Sequence, residues 1–142
     1  MHARTIALPC LAALGLAACT PPASGPVASR NQIYSTDLSG KAASCTAPDV
    51  ALTQGKESTA TIVTGGSGWC GIAVTMGGNA MTAGLLTQPA RSGRVYVHTV
   101  GDVTRVDYTP SAGAGADSFA VQFIPGDEIM RVTVSAATAV HK

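Results

Sequence analysis

The run Arg94-Val95-Tyr96-Val97-His98-Thr99-Val100-Gly101-Asp102-Val103-Thr104-Arg105-Val106-Asp107-Tyr108-Thr109 decides how this chain folds. Two stretches rich in β-branched and aromatic residues flank Gly101-Asp102, a dipeptide suited to a two-residue hairpin turn. Side chains alternate across a strand, so such a turn places Val95, Val97, Thr99, Thr104, Val106 and Tyr108 on one face. Arg94, Tyr96, His98, Val100, Val103, Arg105, Asp107 and Thr109 share the other. The first set is the expected core face, and the second is expected to be solvated. A slip of one residue would bury Arg94 and Arg105 without partners, so the register is well determined.

Similar runs continue in both directions, each bounded by turn residues. Strands are expected at Glu57 to Thr64, Cys70 to Met76 and Met81 to Gln88, with an edge strand near Val50. Asp117 to Ile124 and Glu128 to Ala136 flank Pro125-Gly126-Asp127, a second hairpin signal. There Phe119, Val121 and Phe123 are expected to meet Met130, Val132 and Val134 inside, leaving Ser118, Gln122, Arg131, Thr133 and Ser135 toward water. Gly, Thr and Val interrupt every candidate amphipathic helix. The result is an all-β chain of about seven or eight strands over roughly 95 residues, the pattern of a two-sheet β-sandwich. Ile33-Tyr34 is a candidate for a first short strand.

Pro89-Ala90-Arg91-Ser92-Gly93-Arg94-Val95, Tyr108-Thr109-Pro110, Gly113, Gly115 and Asp117-Ser118-Phe119 together resemble a stretch shared by bacterial immunoglobulin-like and cadherin-like repeats. The resemblance covers about Gln88 to Val134 and implies an immunoglobulin-like sandwich. Its residues also have physical roles: Pro110 ends a strand, the glycines permit positive φ, and Asp117 can accept from backbone amides at a strand start. The chain departs from the pattern where the connection is one residue short and Ala114 replaces an aromatic. Calcium-binding relatives place several carboxylates between adjacent domains. Asp102, Asp107 and Asp117 have no such partner domain, so calcium is not carried over.

The N-terminal residues read as an address. Met1-His2-Ala3-Arg4 is a short positive region, and Thr5 to Ala18 is an apolar stretch of 14 residues. A membrane span needs about 20, so the stretch reads as a signal-peptide core over 1–18. Leu16-Ala17-Ala18-Cys19 resembles the bacterial lipobox. That likeness implies diacylglycerol on the Cys19 thiol, cleavage before it, and stable anchoring by two or three acyl chains. Thr20, a non-Asp residue after the cysteine, resembles the outer-membrane sorting signal of enteric bacteria. Residues 19–42 then read as a Pro/Ala/Ser tether, 43–138 as the domain, and 139–142 as a C-terminal tail. With Cys10 in the signal peptide and Cys19 lipidated, Cys45 and Cys70 remain to form one disulfide in an oxidising compartment.

Composition narrows the partners. Lys and Arg number 9 against 8 Asp and Glu, and only 12% of residues are charged. A near-neutral chain has no bulk attraction for nucleic acid. Gly66-Ser67-Gly68-Trp69-Cys70-Gly71 fits G-x-G-x-x-G, but a dinucleotide site needs a helix next and a β-type run follows. Ser67 lacks the second glycine of a nucleophile elbow, because Trp69 occupies that place. A Ser-His-Asp arrangement would have to use His98 with Asp107 or Asp117, yet His98 stands opposite Arg105 and gains no orienting carboxylate from it. Met76, Met81 and Met130 with His98 have thioether chemistry suited to copper(I), but no recurrent ligand spacing. Asp127-Glu128 are adjacent and diverge. No catalytic residue, metal or cofactor is expected.

Arg94, Tyr96, His98 and Arg105 form a compact patch of residue types favoured at interfaces. The expected function is therefore that of a non-enzymatic, lipid-anchored interaction or structural module at the cell envelope. It would sit on the outer membrane, face the periplasm or the cell surface, and meet an envelope protein or glycan. The alternative is a periplasmic inhibitor of a lysozyme or protease, with Gly65 to Gly68 and Trp69, or Gly113 to Gly115, as the plugging loop. A metal carrier is the third reading.

Overall fold

A computed structural model describes residues 33–137. The expected signal peptide, Cys19, and the tail 139–142 lie outside the described residues. After a single helical turn, α1 (Ser35–Leu38), nine strands follow: β1 (Ser44–Thr46), β2 (Asp49–Leu52), β3 (Ser58–Gly65), β4 (Cys70–Met76), β5 (Ala83–Gln88), β6 (Gly93–Val100), β7 (Val103–Pro110), β8 (Asp117–Ile124) and β9 (Ile129–Ala136). They form a β-sandwich of two packed sheets, ordered β1-β3-β9-β8-β5 and β2-β4-β7-β6.

The β6–β7 hairpin has the register its sequence demands: Val100 faces Val103 across Gly101-Asp102, Tyr96 faces Asp107, and His98 faces Arg105. Gly101 takes φ +58°, which the tight turn requires. In the β8–β9 hairpin, Phe119 faces Val132 and Val121 faces Met130. These side chains, with Phe123 and Val134, are buried against Ile72, Val74, Val106 and Tyr108 of the other sheet. Of the expected β6–β7 core face, Thr104, Val106 and Tyr108 are buried, Val95 and Val97 are half-buried, and Thr99 is exposed. The gradient follows from position, because β6 is an edge strand with a neighbour on one side only.

Three expectations need correction. The described residues hold nine strands, because Ser44–Thr46 pairs with Thr64 and its neighbours as β1. Ile33-Tyr34 does not form a strand: the Tyr34 N–H donates to Asp37 Oδ2 at 2.9 Å and the chain enters α1 instead. Residues 33–42, read as the end of a tether, pack on the sandwich, and Ala42 is buried. The sheets also contain two parallel pairs, β3 with β9 and β2 with β4.

Cys45 on β1 and Cys70 on β4 are joined, with Sγ–Sγ 2.00 Å and Cα–Cα 5.3 Å, so the disulfide ties one sheet to the other. Cys70 is fully buried in the core. Replacing both cysteines with alanine should lower unfolding free energy by about 3 kcal/mol, the closure entropy of a loop this size, read by urea denaturation.

Asp117, at the start of β8, is the second tie. Its Oδ1 accepts from the N–H of Arg91 at 2.9 Å and of Ser118 at 2.8 Å. Its Oδ2 accepts from the N–H of Ser92 at 2.8 Å and the hydroxyl of Tyr108 at 3.0 Å. The turn before β6, the inner face of β7 and the first residue of β8 thus meet at one carboxylate. Gly93 lets Tyr108 in: a Cβ there would lie 2.4 Å from the Tyr108 ring. The Tyr108 ring in turn lies parallel to Phe119, centroids 5.9 Å apart.

Burial alone would raise the Asp117 pKa, but the donors from Arg91, Ser92, Ser118 and Tyr108 outweigh it and hold the carboxyl below its ordinary value. Burial first, and then the hydrogen bond and charge of Asp117, push the Tyr108 phenol up to about 12. A depressed carboxyl contributes stability that is present above its unfolded pKa and lost as pH falls through the folded one. A raised phenol contributes stability that is complete below its unfolded pKa of about 10 and lost as pH rises through the folded value. Unfolding measured against pH should therefore show an acid limb that Asp117→Asn flattens, and an alkaline loss between about 10 and 12 that Tyr108→Phe removes.

Candidate functional site

The outer face of the β2-β4-β7-β6 sheet holds the densest set of ionisable and aromatic side chains. It is built from backbone outward. Residues 39–42 run beside Trp69: the Trp69 N–H donates to Gly40 O at 3.0 Å, and the Ala42 N–H donates to Trp69 O at 2.8 Å. The indole Nε1–H donates to Ser39 O at 2.6 Å.

The glycines of the G-x-G-x-x-G run have separate jobs here. Gly66 turns the chain at φ +96°. Gly68 lets the strap formed by residues 33–42 cross, since a Cβ there would sit 2.3 Å from the Ala42 nitrogen. Gly71 leaves the niche for a carboxylate, a Cβ there falling 2.2 Å from Asp107 Oδ1. Strand β4, not a helix, follows.

Asp107 fills that niche and is 6% exposed. Arg105 donates through Nε to Oδ1 at 2.8 Å and Oδ2 at 3.0 Å, and through Nη2 to Oδ2 at 2.8 Å. The same guanidinium lies 3.9 Å above the Trp69 ring, and its Nη1 donates to Asp37 O at 2.5 Å. His98 Nε2 lies 2.9 Å from Asp107 Oδ2, and its Nδ1 lies 3.8 Å from Asp37 Oδ1. Tyr96 covers the imidazole from outside, ring centroids 4.5 Å apart. A shallow cleft of about 320 Å³ remains among Thr36, Asp37, Ser39, Trp69, Tyr96 and His98.

Two expectations change. His98 does have a carboxylate partner, because Asp107 lies diagonally across the hairpin and diagonal neighbours on one face are within reach of long side chains. Asp107 is not on a solvated face: the strap, Arg105 and Trp69 cover it. The expected patch divides accordingly. Arg105 and His98 are engaged in holding Asp107 and the strap, whereas Arg94 and Tyr96 are exposed, Tyr96 at 64%. Trp69 and Asp37 complete the cluster without having been picked out for it. The alternation Arg105-x-Asp107 places both on one face and was the available signal; nothing local points to Asp37.

Chemically, Nε2 of His98 is paired with Asp107, and Nδ1, 3.8 Å from Asp37 Oδ1, is too far from it for a hydrogen bond; among the described residues no hydroxyl or thiol is hydrogen-bonded to the ring. The methionines and His98 do not converge: Met81 and Met130 are buried in the core, and His98 is on the outside of a sheet. Among the described residues no group of three His, Cys, Asp or Glu is placed to hold a metal ion. Asp127 and Glu128 diverge, Asp127 toward Gln122 and Glu128 toward the Gly55 N–H at 3.0 Å.

A second, larger cleft of about 430 Å³ opens at one end of the sandwich. Of the two loops considered above as plugs, Gly65 to Gly68 and Gly113 to Gly115, the first contributes Gly65, Gly66 and Ser67 to this cleft and the second contributes all three of its residues. Trp69 is not free to lead such a loop, because Arg105 and Ser39 fix its indole. No family model, no curated protein and no solved structure matches this chain.

The two arginines should separate cleanly by mutation. Arg105→Ala strips a buried carboxylate of its guanidinium and should cost on the order of 3 kcal/mol, while Arg94→Ala should leave the thermal midpoint nearly unchanged. Thermal unfolding of the two variants side by side checks this.

Proposed function

We propose that this chain is a non-enzymatic lipoprotein of the cell envelope, in which acyl chains on Cys19 hold a β-sandwich that works as an interaction module. The observation that carries the non-enzymatic reading is the state of His98. Its two nitrogens lie between Asp107 and Asp37, and Arg105 is bound to the same carboxylate and stacked on Trp69. Arg105 thus ties residues 33–42 to the sheet, and among the described residues the only hydrogen bond of His98 is to Asp107. A general base works on a hydroxyl or thiol within hydrogen-bond reach, and among the described residues none is bonded to His98.

The lipobox likeness supports the anchor, and the disulfide accords with an oxidising compartment. The exposed contact surface on this face is Tyr96 with Arg94, an aromatic and an arginine of the kind that anchors interfaces. The partner is an envelope protein or glycan, with the body on the outer membrane facing the periplasm or the cell surface. The immunoglobulin-like likeness of residues 88–134 is in keeping with such a role.

Mass spectrometry of the protein purified from a bacterial envelope should find a diacylglyceryl-modified, processed N-terminus at Cys19. Tyr96→Ala combined with Arg94→Ala should keep the melting temperature and lose whatever envelope component co-purifies with the parent. An unmodified Cys19 thiol would remove the anchor. Stoichiometric loss of lysozyme or protease activity on adding the domain would instead make it an inhibitor.

A further inference from the structure

The strap is fastened to the sandwich lightly and in one place. Residues 33–41 are exposed apart from Asp37, which is half-buried, and α1 buries no side chain. Its large apolar residues, Ile33, Tyr34 and Leu38, all point to solvent. Among the described residues, the sandwich holds this stretch by three hydrogen bonds: Arg105 Nη1 to Asp37 O, Trp69 Nε1 to Ser39 O, and the Trp69 N–H to Gly40 O. Fixing the stretch in one conformation costs backbone entropy at every residue, and three hydrogen bonds without apolar burial offset little of it.

Lifting the strap strands nothing. The helical turn satisfies itself, with the Tyr34 N–H donating to Asp37 Oδ2, the Asp37 N–H to Tyr34 O, and the Ser39 N–H to Ser35 O. Asp107 keeps the guanidinium through Nε and Nη2, and keeps His98 Nε2. The freed carbonyls of Asp37, Ser39 and Gly40 belong to exposed or half-buried residues and turn to water. Beyond Gly40 and Lys41 the situation reverses. Ala42 is buried, β1 is paired with β3, and Cys45 is bonded to Cys70, so an opening stops there.

We infer that residues 33–41 undock from the sheet as a unit while the sandwich stays folded, which makes the strap a removable cover over Trp69 and Arg105. Open, it adds these two side chains to Tyr96, which lines the same cleft. The donors uncovered are those that hold peptide carbonyls when the strap is closed. The consequence for binding rests on the interaction role proposed above. The undocking rests on the fastening alone, and its test involves no partner.

That test is hydrogen exchange on the full chain, read by NMR at two protons of the single tryptophan, the Trp69 backbone N–H and the indole Nε1–H. Both should exchange at least about a hundredfold faster than the slowest amides of β4 and β7. Their rates should hardly respond to urea below the unfolding transition, because undocking exposes little surface. Gly40 stands at φ +74° in the docked strap, and a Cβ there would meet nothing closer than Trp69 at 3.8 Å. Gly40→Ala therefore penalises the docked strap through backbone strain and should speed both protons about tenfold. Exchange at the rate and with the urea slope of the central strands would overturn the inference, since the strap would then leave only with the fold. Rates unmoved by Gly40→Ala would overturn it too, since exchange would then occur with the strap in place.

Discussion

A single carboxylate, that of Asp117, takes four hydrogen bonds from three different parts of the chain. With so few aromatics, the core is made chiefly of Val, Ile and Met around Tyr108, Phe119 and Phe123, and packing of such side chains does not by itself choose where a connecting loop lies. A buried anion does choose. It must be surrounded by donors, and the donors available are the backbone amides of the turn at 91–92 and the Tyr108 hydroxyl. Meeting that requirement brings the entrance of β6, the end of β7 and the start of β8 to one point.

Asp107 repeats the arrangement on the other side of β7, with a guanidinium and an imidazole in place of amides. Arg105, His98 and Trp69 surround it, and the strap of residues 33–42 closes over them. An outer sheet face that alternation marks as solvated becomes partly buried, because the chain folds back over it. That is also why the polar patch read from β6 and β7 has two fates: the residues under the strap hold structure together, and Arg94 and Tyr96 at the free edge of β6 stay exposed.

Hairpin registers, inward faces and turn positions were legible because they depend on a period of two and on residues next to one another. Val100-Gly101-Asp102-Val103 needs no distant information to place Tyr96 opposite Asp107. The disulfide was legible from cysteine arithmetic. Strand β1 was not, since three residues with little alternation give no periodic signal and only pairing with β3 defines them. The helical turn at 35–38 was missed for a similar reason: Asp37 caps it through Tyr34, at the end of a stretch whose prolines and small residues read as a tether.

The amino-acid sequence by itself determined an all-β sandwich, the register of its two hairpins, the pairing of Cys45 with Cys70, and which side chains of β6 and β7 share a face. Tertiary structure alone decided the parallel pairings of β3 with β9 and β2 with β4, the burial of Asp107, and the passage of residues 33–42 across the outer sheet face. The physical reason is range. Alternation and turn chemistry act between neighbours, whereas desolvation of a carboxylate or a hydroxyl depends on which distant segment comes to lie over it.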